Sequence, residues 1–125
     1  MIKYLLFPFT IIYYLLSELN RVLTKSKSLD KPVISIGNIT WGGSGKTPMT
    51  IEVAKYILSL GKMPVILSRG YARKNNKNEN VIVRDKEKIL SDIFESGDEP
   101  YMMAHQINCP IIVGADRIKS ANSAK

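Results

Sequence analysis

Cysteine is nearly absent: Cys109 is the single thiol in 125 residues. An internal disulfide is therefore excluded, and no spacing around Cys109 suggests a metal ligand set. Its apolar neighbourhood reads as a buried structural thiol, in keeping with a reducing cytoplasmic setting. A membrane-spanning run is also missing. The uncharged stretch Tyr4 to Leu16 is thirteen residues long, about 20 Å as a helix against a hydrocarbon core of about 30 Å. Nor does a small-residue cleavage site follow it, because Ser17-Glu18-Leu19-Asn20 offers none, which argues against a cleaved signal peptide. No basic run is interleaved with aromatics and no DNA- or RNA-binding motif occurs, so nucleic acid is not an expected partner. Internal repeats and Gly/Ser linkers are lacking too.

Charge is present but lopsided. The chain carries a net charge of +7, with twelve Lys/Arg against four Asp/Glu in residues 1–80 and six against seven in residues 81–125. The basic excess surrounds the N-terminal apolar segment and the glycine-rich region after residue 36. Anionic lipid and nucleotide are the partners such a field favours.

Tyr4 to Leu16 continues as an amphipathic helix. Leu15, Leu16, Leu19, Val22 and Leu23 form one stripe, while Ser17, Glu18, Asn20 and Arg21 face away. Pro8 falls near the first turn, where it is tolerated. Lys3, Arg21, Lys25 and Lys27 flank the segment, and Tyr4, Tyr13 and Tyr14 suit a headgroup layer. A buried core helix is the plain alternative. The expectation is an interfacial anchor helix over residues 1–28, lying in or dipping into one leaflet.

The most informative stretch is Ser35 to Pro48, Ser-Ile-Gly-Asn-Ile-Thr-Trp-Gly-Gly-Ser-Gly-Lys-Thr-Pro. An apolar strand from Val33 to Ile36 is expected to run into a glycine-rich turn and then a helix. That order suits a phosphate-binding loop. Backbone N–H groups of Thr40, Trp41, Gly42, Gly43, Ser44 and Gly45 would curl around phosphate oxygens. Lys46 would reach the terminal phosphates, and the Thr47 hydroxyl would ligate Mg²⁺. Thr40 stands where the strict pattern has its first glycine. A nucleoside triphosphate with Mg²⁺ is the ligand this loop implies.

Beyond it, Lys46 to Leu60 predicts a helix with Met49, Val53, Ala54, Ile57 and Leu58 on one face and Gly61 as its stop. Pro64 to Ser68 reads as an apolar strand of the kind buried on both faces of a parallel sheet. Val81 to Arg84 reads as a further strand, and Lys86 to Glu95 as helical. A helix opens at Gly97-Asp98-Glu99-Pro100, Pro110 to Val113 reads as a strand, and Ala115 onward as helix. Alternating strands and helices predict an α/β fold: a P-loop NTPase-like, mainly parallel sheet with flanking helices, spanning residues 29–125 behind the anchor helix. Ligands bind such sheets beyond the carboxyl ends of the strands. Arg69 there is a candidate phosphate clamp or a loop-tying salt bridge. Asp98 and Glu99 read either as an ordinary acidic helix start or as a proton acceptor for an attacking hydroxyl. His105 reads as a surface or core histidine, and Asp116-Arg117 is divided between capping and a site contact.

Taken together, Ile36 to Pro48, Ser68-Arg-Gly-Tyr71, Gly97-Asp-Glu-Pro100 and Val113-Gly-Ala-Asp-Arg117 resemble the tetraacyldisaccharide 4'-kinase family, the lipid A 4'-kinases of Gram-negative inner membranes. Four short motifs in the family's order, behind an apolar N-terminal helix, make the resemblance specific, and Thr40 in place of the first glycine is shared with it. The resemblance implies transfer of the ATP γ-phosphoryl group to the 4'-hydroxyl of an acylated glucosamine disaccharide 1-phosphate, at the cytoplasmic face of the inner membrane. By that similarity Lys46 neutralises phosphate charge, Thr47 holds Mg²⁺, and Asp98 is the base. Glu99 stands near the metal or orders the site, and Arg69 meets a phosphate.

The family's acidic pair and a histidine that supports the catalytic carboxylate belong to a later half with no counterpart in these residues. The chain is accordingly expected to be an N-terminal fragment, and activity of the fragment alone is not expected. Two rivals are another membrane-associated P-loop NTPase and a non-catalytic fragment retaining lipid or nucleotide binding. A GTPase would carry an Asn-Lys-x-Asp motif, and these residues hold none.

Overall fold

The computed structural model describes residues 7–23, 28–37, 45–70 and 79–123. The chain divides into two compact units, Met1–Asp30 and Lys31–Lys125.

The first unit contains α1, Phe7–Leu23. One exposed ion pair, Arg21 with Glu18 at 3.0 Å, staples adjacent turns, a contact worth only a few tenths of a kcal/mol, ~0.3–0.5. Ile12, Tyr13, Leu15, Leu16, Val22 and Leu23 are all exposed. Among the described residues no helix is long and apolar enough to cross a membrane.

The second unit is a small mixed sheet with helices packed on it. Residues 32–37 approach it without regular secondary structure, and Val33 and Ile34 are 66% and 62% exposed. The strand expected over Val33 to Ile36 is thus not formed. A strand exists through its ladder, and no described residue pairs with this one. Helix α2, Lys46–Ser59, follows. Its end is a Schellman motif: Gly61 N–H donates to Leu58 O at 2.9 Å and Lys62 N–H to Ile57 O at 3.2 Å. The buried face of α2 is Ile51 and Ala54 with Leu58 packed against them, whereas Met49 is 57% exposed. Both stripes are apolar at helical spacing, so periodicity does not choose between them; the sheet does.

Strand β1 is Ile66–Ser68 and β2 is Val81–Arg84. Helices α3, Ile93–Ser96, and α4, Asp98–Gln106, precede β3, Ile111–Val113, and α5, Arg117–Asn122, follows it. The strand order is β1-β3-β2. β1 runs parallel to β3, with Ile66 opposite Ile111 and Ser68 opposite Val113. β2 runs antiparallel to β3, so the described sheet is mixed where a mainly parallel one was expected. An antiparallel strand at the edge of a parallel pair needs no crossover helix, and such edges are common.

The helix expected over Lys86 to Glu95 is also replaced. The Asp85 carboxylate accepts from the N–H groups of Glu87 and Lys88, both at 2.7 Å. That Asx-type turn diverts the backbone from helix, and Ile89 then bridges back to Arg84. Only Ile93–Ser96 is helical.

One apolar cluster holds the unit together. Ile51 and Ala54 of α2 meet Met103 and Ala104 of α4, along with Ile66, Val83, Ile111 and Val113 of the strands and Ile107 and Cys109. Each fully buried Ile, Val or Met side chain contributes about 1.5–3 kcal/mol. Because α2 and α4 both dock in this cluster, their N-terminal ends are carried to the same place.

Candidate phosphate-handling site

Gly45 precedes α2 with φ 75 and ψ 16, in the left-handed region where a Cβ is unfavourable. The chain can therefore turn sharply from the loop into the helix, and the Gly45 carbonyl still accepts from Met49 N–H at 3.1 Å. Lys46 and Thr47 occupy the first turn, both half-buried, with the Thr50 hydroxyl bonded to Lys46 O at 2.8 Å. Thr40, Trp41, Gly42, Gly43 and Ser44 lie outside the described residues. The N–H groups of a first helical turn have no intrahelical partner, so this end favours an anion.

The second helix end is acidic. Gly97, at φ 88 and ψ 159, is the cap position of α4, so Asp98 and Glu99 are its first two helical residues, both exposed. Asp98 thus does not occupy the position of a capping aspartate. The contrast with its neighbours is direct: Asp92 caps α3 by accepting from Glu95 N–H at 2.9 Å. Asp116 caps α5 by accepting from Ile118 and Lys119 N–H at 2.9 and 3.2 Å. Of the two roles the sequence left open at Asp116, capping is the one observed.

The two ends meet side chain to side chain. Thr47 Oγ1 donates a hydrogen bond to Glu99 Oε1. A hydroxyl oxygen beside a carboxylate oxygen is a hard-donor pair that would suit Mg²⁺. Among the described residues no group of three or more His, Cys, Asp or Glu could hold a metal by itself. Arg69 follows β1 and is exposed, and Gly114 N–H, closing β3, donates to Ser68 O at 3.0 Å. Thus Arg69 and the Gly114-Asp116 turn both leave from the carboxyl ends of the parallel pair. His105 stacks edge-on against Tyr101 at 4.8 Å and 73°, a surface contact.

Sequence reasoning missed Arg84. Its guanidinium donates from Nη1 to Ala104 O at 3.0 Å and from Nη2 to Asn108 Oδ1 at 2.8 Å. The signal was a cation closing an otherwise apolar strand, which reads equally as a solvated strand end.

A glycine turn opening onto Lys-Thr at one helix end, with an acidic helix end beside it on an α/β sheet, defines the P-loop kinase class of fold. The sequence model of the family tetraacyldisaccharide-1-P 4'-kinase (LpxK) matches residues 2–125, and the chain belongs to that family. A tetraacyldisaccharide 4'-kinase of Pelobacter propionicus is 36% identical over 122 residues, covering 93% of this chain and 34% of that protein. One of Halothermothrix orenii is 42% identical over 119 residues, covering 90% and 31%. A crystal structure of LpxK from Aquifex aeolicus in complex with ATP superposes with a TM-score of 0.78 at 35% identity, over 99% of this chain and 40% of that one. The chain thus spans about a third of the length of the curated relatives it matches.

Proposed function

We propose that this chain supplies the nucleotide end and the general base of a lipid A 4'-kinase. In this reading the γ-phosphoryl group of ATP passes to the 4'-hydroxyl of tetraacyldisaccharide 1-phosphate. The observation that carries it is the Thr47–Glu99 hydrogen bond, which brings a Lys-Thr helix start and an Asp-Glu helix start into one site. Supporting it are the family match over residues 2–125 and the likeness to LpxK in complex with ATP.

Phosphoryl transfer asks little covalent chemistry of a protein; positioning and charge stabilisation do most of the work. Lys46 places its ammonium against the terminal phosphates. Backbone N–H groups at the start of α2 hold phosphate oxygens, and the Thr47 hydroxyl with the Glu99 carboxylate orders the metal's side of the site. Asp98, whose side chain is not spent on capping, accepts the proton of the 4'-hydroxyl. Arg69 contacts a phosphate of nucleotide or lipid. When bound, ATP supplies the transferred group and Mg²⁺ neutralises charge on its phosphates.

The exposed apolar residues of α1, between Lys3 and the basic Arg21, Lys25 and Lys27, support a peripheral anchor in a bilayer leaflet. Substrate would then be met at the cytoplasmic face of a Gram-negative inner membrane. The test uses a chain carrying these residues at the full length of its relatives. It is incubated with γ-labelled ATP, Mg²⁺ and tetraacyldisaccharide 1-phosphate in detergent micelles. Label on the 4'-oxygen is the expected result. ATP hydrolysis without lipid labelling would replace the kinase reading by a plain NTPase.

A further inference from the structure

We infer that Arg84 is a positioning residue for this reaction: it pins the C-terminal end of α4 and so fixes where Asp98 and Glu99 stand at the other end. The inference rests on the phosphoryl-transfer reading above.

Helix α4 is nine residues long, about 13 Å at 1.5 Å per residue, too short to bend appreciably between its ends. Its N-terminal end is tied to α2 through Glu99 and Thr47 and preceded by Gly97, at φ 88, a conformation that little but glycine adopts. That end can pivot. The far end is held by Arg84. Ala104 is completely buried, so its carbonyl needs a protein partner, and Arg84 Nη1 provides one at 3.0 Å. Nη2 ties Asn108, just past the helix, at 2.8 Å. A fixed cation at a helix C-terminus also opposes the negative end of the helix dipole.

The backbone is shaped for this contact. Pairing between β2 and β3 shifts between Ile82 and Arg84: Ile82 faces Ile112, but Arg84 faces the very next residue back, Ile111. A regular strand would send Val83 and Arg84 to opposite faces. A bulge re-aims a side chain, and here Val83 enters the cluster with Met103 and Ala104 while Arg84 reaches the Ala104 carbonyl. The guanidinium is sunk far enough that Nε is buried without a hydrogen-bond partner. A lysine, with one point charge, cannot span the two acceptors as the planar fork does.

The experiment compares Arg84→Gln, Arg84→Lys and Asn108→Ala with Asp98→Asn in the full-length chain, following lipid phosphorylation, KM for ATP and thermal stability. Arg84→Gln is expected to lower kcat by about 10- to 10²-fold, the scale of a small misplacement in a site. KM for ATP should stay within about twofold, since Lys46 and the α2 N-terminus are untouched. Arg84→Lys should recover part of the loss. Should Arg84→Gln fail to fold, Asn108→Ala, at an exposed residue, is expected to lower kcat by more than about twofold with KM unchanged. Near-normal kcat in folded Arg84→Gln, or a loss that only tracks its unfolded fraction, overturns the inference, as does unchanged kcat in Asn108→Ala. Normal turnover of Asp98→Asn would instead sink the parent reading. An inactive Asp98→Asn beside a fully active Arg84→Gln would sink this one alone.

Discussion

The Thr47 hydroxyl donates to the Glu99 carboxylate, joining two residues 52 positions apart in the chain. Neither helix start is distinctive by itself. Lys-Thr opens many helices, and acidic residues favour any helix N-terminus through the dipole. Their meeting sets a Lys-Thr helix start and an Asp-Glu helix start side by side.

Lys46 should be the most costly residue of this group to lose from the phosphate side. Lys46→Ala in the full-length chain is expected to lower turnover by at least about 10²-fold, the scale for removing one donor from a preorganised site. Thr47→Ala and Glu99→Gln should act differently, raising the Mg²⁺ concentration needed for half-maximal rate. A metal titration of the three variants separates the roles. Unchanged Mg²⁺ dependence in both Thr47→Ala and Glu99→Gln would detach that pair from the metal.

Cys109 should be chemically silent while the protein is folded. Burial pushes its thiol pKa from 9.0 up to about 11, against a weak opposing pull from Arg84. Aromatic disulfide reagents at pH 8 are expected to label it only on unfolding. The unfolded thiol loses its proton before the folded one does. Its contribution to stability is therefore complete below about pH 9 and is lost as pH rises towards about 11, by at most about 3 kcal/mol. Denaturant unfolding of the wild type and of Cys109→Ala across that range measures it, the variant showing the shallower decline.

Gly114 closes β3 where two side chains crowd the backbone. A Cβ there would collide with Asn80 Oδ1 and Ser120 Oγ, which are themselves hydrogen-bonded at 3.0 Å. Gly114→Ala is expected to destabilise the fold by about 1–3 kcal/mol, read as a lower Tm. The double variant Gly114→Ala/Asn80→Gly should recover part of it. A Tm unchanged by Gly114→Ala would mean that the α5 contact yields freely.

The N-terminal helix gives a separable prediction. Removing residues 1–24 should shift the full-length chain from the membrane to the soluble fraction and weaken its salt-sensitive binding to anionic vesicles. Insoluble protein with unaltered vesicle binding would make α1 a core helix.

Much of this was legible in the residues. Gly61 marks the end of α2 because a Schellman turn needs a left-handed residue there. Gly97-Asp-Glu-Pro100 announces α4, and the apolar β3 is buried along its whole length. What escaped the sequence depends on partners. Val33 to Ile36 has strand composition and no ladder. Lys86 to Glu95 loses its helix to the Asp85 turn, a local competition that periodicity does not register. The direction of β2 and its bulge are set by pairing with β3, so the reach of Arg84 to α4 was invisible until the sheet was assembled. At the site the motifs named the residue types, and only the packing of α2 and α4 in a shared core shows which of them touch.

Gly97 holds the cap position of α4, which leaves the Asp98 carboxylate for the role proposed above, proton acceptor of a phosphoryl-transfer site. Asp98→Asn in the full-length chain, with thermal stability and lipid-phosphorylation turnover measured on the same preparation, tests it most directly. Asparagine keeps the shape and at this first-turn position loses only the charge–dipole attraction, about 0.3–1 kcal/mol, but its amide cannot take the hydroxyl proton. The expected result is a Tm within a few degrees of wild type with turnover down by more than about 10²-fold. Near-normal turnover in folded Asp98→Asn protein would rule Asp98 out as the base.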